Sequence, residues 1–260
     1  MSRLSDRLSC AVACAAAMLL ISCGGGANES TAPASSGATA PAAAPIDPET
    51  TGNVSGKVTF EGTPPAPQPI KLSSDPYCET ANSGLTTETQ IVGANGAMGN
   101  VFVYVKDGLG DRKFATPSEP VMLDQKGCHY TPHVFGVRVG QPLEIVNSDP
   151  TLHNIHATPK VNSEFNTGQP MQGMKTEHTF KAKEVMVPFK CDVHGWMNAY
   201  VAVMDHPYYA VTGNDGTFSL ASLPPGTYTI EAWHEKLGAT TQSVTIGASE
   251  TKDITFSFKI

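Results

Sequence analysis

A short stretch, Lys190-Cys191-Asp192-Val193-His194-Gly195-Trp196-Met197, carries a thiol, then an imidazole three residues on, then a thioether three further. Side chains so close in sequence face a single centre only if the backbone forms a tight loop. A second imidazole, His153, lies upstream in Asn147-Ser148-Asp149-Pro150-Thr151-Leu152-His153-Asn154-Ile155. Two imidazoles, a thiolate and a weaker thioether form the ligand set of a copper ion that exchanges electrons. That set suits Cu(I) and Cu(II) alike. Zinc also accepts Cys and His, but structural zinc takes four such donors and Met is a poor one. Taken singly, a Cys is a small buried hydrophobe and a Met a gap filler. The spacing, with His153 upstream, is what turns them into a candidate site.

Loops of this kind need strands on either side. Val134 to Val139, Leu143 to Val146, His178 to Phe180, Val185 to Lys190 and Ala199 to Met204 read as strands around the candidate ligands, with Val139-Gly140-Gln141 as a tight turn. A second group flanks them: Val54 to Phe60, Asn100 to Val105, Thr217 to Leu220, Thr227 to Trp233, Ser243 to Ile246 and Asp253 to Phe258. Asn214-Asp215-Gly216 and Pro224-Pro225-Gly226 are turn signals between members of that group. No helix-period pattern runs beyond a few residues, so the fold class is all-β.

Both groups resemble known families. Tyr130-Thr131-Pro132, Val137-Arg138-Val139-Gly140, Asn147-Ser148-Asp149, His153-Asn154-Ile155 and Cys191-x-x-His194-x-x-Met197 follow one another as in the cupredoxins, and the compact last motif is amicyanin-like. The resemblance covers roughly 121 to 205. It implies a Greek-key β-barrel, one type 1 copper, His153, Cys191 and His194 as strong ligands, Met197 as the weak axial ligand, and Asn154 as a brace on the Cys loop. Val54-Ser55-Gly56-Lys57-Val58, Asn214-Asp215-Gly216-Thr217-Phe218-Ser219-Leu220 and Leu223-Pro224-Pro225-Gly226-Thr227-Tyr228-Thr229-Ile230 resemble the carboxypeptidase regulatory-like, transthyretin-like β-sandwich. In that family these pieces are near neighbours; here about a hundred residues carrying the metal motif separate them. The organisation this implies is a sandwich of 53–106 plus 207–260 with a copper-binding domain of 107–206 inserted, which is tolerated where chain ends lie close. Two β-domains in series is the alternative.

Arg3 and Arg7 precede an uncharged Leu8 to Ile21 core, too short to span a membrane comfortably, so 1–22 reads as an export signal. Leu20-Ile21-Ser22-Cys23 resembles a lipoprotein lipobox, which implies lipid on Cys23 and a membrane-anchored periplasmic or cell-surface protein; an ordinary secretory signal is the alternative. The Gly, Ala, Ser and Pro of 23–52 cannot bury enough apolar surface to order themselves and read as a tether. Cleavage removes Arg3, Arg7 and Asp6 and takes the net charge from −7 to −8, which disfavours nucleic acid as a partner. Cys78 and Cys128 then remain as either a disulfide of an oxidising compartment or two buried thiols.

The other His and Met residues read more plainly. His156, three residues past His153 on a strand, points to the opposite face and reads as a surface residue. His129 and His133 are loop or edge residues, or else a second metal site. Met171 and Met174 form either a soft Cu(I) entry loop or a packed turn. Leu152 and Trp196 are expected to rim an exposed edge of His194 where a redox partner docks, unless Trp196 packs between domains.

These residues point to an exported electron carrier with unidentified redox donor and acceptor proteins. A Cu(I) delivery or storage protein and a non-redox binding lipoprotein are the competing classes. Enzymatic chemistry has little footing: the sequence lacks His-x-His pairs for further copper centres, and Gly-x-Ser-x-Gly and His-Glu-x-x-His are absent too.

Overall fold

A computed structural model describes residues 46–260. The export signal 1–22, Cys23 and most of the 23–52 tether lie outside the described residues. Among the described residues no helix is long and apolar enough to cross a membrane.

Alternation of apolar and polar side chains produces strands nearly throughout. In chain order they are β1 (Gly52–Phe60), a one-and-a-half-turn helix α1 (Pro76–Ala81), β2 (Phe102–Asp107), β3 (Val121–Gln125), β4 (Tyr130–Thr131), β5 (Val134–Arg138), β6 (Pro142–Asn147), β7 (His153–Ala157), β8 (Phe165–Gln169), β9 (Lys175–Thr179), β10 (Glu184–Lys190), β11 (Asn198–Met204), β12 (Tyr209–Val211), β13 (Thr217–Leu223), β14 (Gly226–His234), β15 (Gly238–Ile246) and β16 (Thr251–Phe258). They form four sheets in two stacked pairs.

The outer pair is β13-β1-β16 against β12-β2-β14-β15. Val54, Val58 and Phe60 of β1 meet Val103, Val105, Ile230, Val244 and Phe256 in one core. The inner pair is β5-β11-β10-β7-β8 against β4-β3-β6-β9. Its core gathers Leu123, Phe135, Leu143, Ile145, Phe180, Phe189 and Val201. An apolar seam of Phe102, Tyr104, Val134, Ala202 and Met204, with Tyr209 and Trp233 packed on it, joins the two pairs. Contact there is close: a Cβ on Gly136 would stand 2.3 Å from a ring carbon of Tyr209.

Residues 70–85 sit elsewhere than their neighbours in sequence suggest. They fall within 53–106, yet Leu72 and Cys78 belong to the inner core, with Ile70, Tyr77 and Leu85 packed on it. A short polar stretch with a single buried Leu shows no periodicity that assigns it to either core; tertiary contact decides the matter. The reason for the placement is covalent as well as apolar, since Cys78 and Cys128 are joined as a disulfide with Cα atoms 5.5 Å apart.

Candidate metal centre

Strand register builds the site. Antiparallel β7 and β10 pair Ala157 with Phe189 and His156 with Lys190. Continuing that register past the end of β10 sets Asn154 beside Asp192 and His153 near His194. Residues 191–197 turn the chain from β10 into β11, whose ladder closes at Lys190 and Asn198. The turn is tight because it bonds to itself. Cys191 N donates to Met197 O at 3.1 Å, Met197 N donates to His194 O at 2.9 Å, and His194 N donates to Cys191 Sγ at 3.3 Å.

Three of the four candidate ligands come together. Donor atoms of His153, Cys191 and His194 all lie within 4.8 Å of one another. His153 Nδ1 and His194 Nδ1 stand 2.9 Å apart, and Cys191 Sγ is 3.9 Å from His194 Nδ1. All three side chains are buried, as is Met197 in the same turn. Asn154 ties into the Cys loop: its Oδ1 accepts from Asp192 N at 2.7 Å and lies 3.2 Å from Cys191 Sγ. Its Nδ2 donates to Asn166 Oδ1 at 2.7 Å, tying the brace to β8.

Each imidazole has its far nitrogen on a carboxylate. His153 Nε2 is 2.9 Å from Asp149 Oδ2, and His194 Nε2 is 3.1 Å from Asp75 Oδ2. A carboxylate on one ring nitrogen orients the ring and leaves the other nitrogen for a metal. Asp149 is itself pinned. Asp149 N donates to Asn147 Oδ1, and its carboxylate accepts from Gly127 N, Cys128 N and Tyr77 Oη at 2.8 to 2.9 Å. Burial pushes its pKa up, but His153 and the two amides outweigh this and hold it at about 2. For the Cys191 thiol, burial likewise raises the pKa, and hydrogen bonds from His153 and His194 bring it down to about 5. A thiol held that low is a thiolate at neutral pH, the form that ligates. His153 is raised in turn: burial works against its charge, and Asp149 and Cys191 overcome burial. A soft, buried thiolate with two oriented imidazoles fits a copper ion.

Neither carboxylate was singled out from sequence. Asp149 had a signal in plain view, an acid four residues before the candidate ligand His153. Asp75 had none, being distant in sequence from every ligand and brought in by the disulfide. Two further groupings, Asp75-Cys78-His194 and Cys128-Asp149-His153, are close enough to hold an ion, but their cysteines are spent in the disulfide.

The expected docking rim requires correction. His194 is 2% exposed and presents no open edge. Asp75 covers its Nε2, the Cys78 sulfur is 3.8 Å from the same nitrogen, and the Trp196 ring lies 5.1 Å away centroid to centroid. Trp196 does not stand free either, since its Nε1 donates to Cys128 O at 2.9 Å. Leu152 is exposed.

His156, half-buried, bonds Asp192 and Glu164 on the outside of the sheet. His133 is buried and pairs with Glu235 at 2.9 Å, and His129 bonds Thr131. Neither lies in a cluster suited to an ion among the described residues. Met171 is exposed, and Met174 N closes a turn on Met171 O.

Residues 196–259 match the carboxypeptidase regulatory-like domain. The matched segment starts at Trp196 in the ligand turn and runs through β11 to β16. No curated protein matches the chain. Among solved structures the chain is similar to a purple cupredoxin from Nitrosopumilus maritimus, at 21% identity over 32% of this chain and 98% of that one, TM-score 0.28. It is similar to a Cu(I) amicyanin variant at 20% identity over 39% of this chain and 98% of that one, TM-score 0.30. A copper-containing nitrite reductase from Thermus scotoductus is similar at 20% identity over 37% of this chain, TM-score 0.30, and the match spans only 26% of the reductase.

Proposed function

We propose that this protein is an exported, membrane-tethered carrier of one copper ion that passes single electrons between a donor and an acceptor redox protein. One observation carries the reading: Cys191, His153 and His194 converge with donor atoms within 4.8 Å, buried, at the joined ends of β7 and β10. His153, Cys191 and His194 would hold the ion, with Met197 as the weak fourth ligand. Copper when bound supplies a one-electron change of charge without bond making.

The chain's own residues make such a site stiff. Asn154 fixes the turn that carries Cys191, Asp149 fixes the ring of His153, and the self-bonded turn fixes His194 and Met197. A site that cannot move between oxidation states keeps the reorganisation cost of transfer low. Burial excludes water from the thiolate, which protects Cys191 from oxidation. The tether, the lipid on Cys23 and an outer sandwich enclosing an inserted copper unit belong to this proposal, with 70–85 grouped with the inserted unit because they pack on its core.

Copper titration of the full chain tests it. The expected product is an intensely coloured Cu(II) form whose visible band disappears in Cys191→Ser while far-ultraviolet dichroism is retained. A colourless Cu(II) complex of the folded wild-type chain would falsify the reading.

A further inference from the structure

The carboxylate of Asp75 does two jobs with two oxygens. Oδ1 caps α1, accepting from Tyr77 N at 2.8 Å and Cys78 N at 3.2 Å. Oδ2 faces the metal centre, accepting from Thr151 Oγ1 at 2.7 Å and bonding His194 Nε2 at 3.1 Å. Asp is a strong N-cap residue, but a cap uses one acceptor only. The second oxygen reaches His194, the candidate ligand whose far nitrogen Asp149 does not hold. The segment bearing it is stapled through Cys78 to Cys128, whose N–H in turn holds Asp149 on His153. A single covalent cap thus anchors the outer nitrogens of both imidazoles.

We propose that Asp75 is a positioning residue of the metal centre, holding His194 with Nδ1 turned toward Cys191 and biasing bound copper toward its oxidised state. The proposal rests on the copper reading of the same site and deepens it. With Nε2–H committed to Asp75, the Nδ1 of His194 is the nitrogen left to ligate. A half-buried carboxylate bonded to the ring of a ligand favours the more positive of two ions, so Asp75 stabilises Cu(II) over Cu(I). Thr151 tempers this, because its hydroxyl draws electron density from the same oxygen that His194 uses.

Two substitutions in the full chain test the idea, and they are predicted to act in opposite directions. Asp75→Asn retains a carbonyl oxygen for the α1 cap but replaces Oδ2 with an amide that cannot accept from His194. Its copper form is expected to stay coloured, with Cu(II) affinity lowered about tenfold relative to Cu(I), a rise in reduction potential of about 59 mV. In the metal-free chain, nuclear magnetic resonance is expected to show the His194 Nε2 proton exchanging faster in this variant than in wild type. Thr151→Val keeps the shape and removes the hydroxyl, leaving Oδ2 wholly to His194, and the potential is expected to fall, by a severalfold rather than tenfold affinity ratio.

General damage to the site would move both variants the same way, and that result overturns the proposal. So does an unchanged potential in coloured Asp75→Asn. If Asp75→Asn does not fold, the sign of the Thr151→Val shift decides. A wild-type chain that binds no copper sinks the parent reading and this one together, whereas failure here with wild-type colour intact leaves the parent standing.

Discussion

Removing the staple between Cys78 and Cys128 is the perturbation whose size follows most directly from the structure. The bond closes a segment with a sequence separation of 50, and within that segment runs β2, a strand of the outer sheets. In the chain-entropy account a cross-link of this span removes about 14 cal/mol/K from the unfolded chain, or about 4 kcal/mol at room temperature. The paired variant Cys78→Ala with Cys128→Ala is therefore expected to lose about 4 kcal/mol of unfolding free energy, a large share of a typical domain's about 5–15 kcal/mol. Native contacts of the cap do not depend on the sulfurs. Leu72 packs on the inner core, Tyr77 bonds Asp149, Asp75 bonds His194 and Trp196 bonds Cys128 O. The folded form should consequently keep its near-ultraviolet dichroism. Urea unfolding of the metal-free variant, compared with oxidised wild type, measures the loss. A change below about 1 kcal/mol would show that the unfolded chain is already compact around this segment, and the entropy argument would be refuted.

Two other expectations concern regions away from the candidate metal centre. His206 is buried, and burial, reinforced by Lys183, depresses its pKa from 6.5 to about 4. The unfolded chain then takes up a proton that the folded chain refuses, so stability is expected to fall as pH drops from 6.5 to 4. His206→Phe should flatten that part of a thermal-unfolding profile, and an unaltered slope refutes the assignment. At the seam, Gly136→Ala places a methyl group 2.3 Å from the Tyr209 ring and should cost about 1–3 kcal/mol. The same substitution in a Tyr209→Ala background should cost clearly less, read by chemical denaturation of all four members of the cycle; equal costs would show that the strain lies elsewhere.

Much of the inner site was legible because its chemistry is local. Cys191, His194 and Met197 share one turn, and its own backbone hydrogen bonds bring the donors of Cys191 and His194 close to each other. The brace Asn154 was legible for the same reason, lying next to His153. Strands such as β1, β5 and β10 announced themselves by alternation, while the short β3 and β8, five residues each, did not.

Composition, turn chemistry and short-range spacing were enough to define an all-β chain with an upstream His and a Cys-His-Met turn. What covers that turn was decided only in three dimensions. The covering segment, 70–85, carries no periodic signal of its own, and is held by a disulfide, by two oxygens of Asp75 and by a few apolar contacts with residues far along the chain. Local sequence determines which side chains can share a loop. It does not determine which distant segment closes over them, and for that reason His194 reads as exposed in the sequence and is buried in the fold.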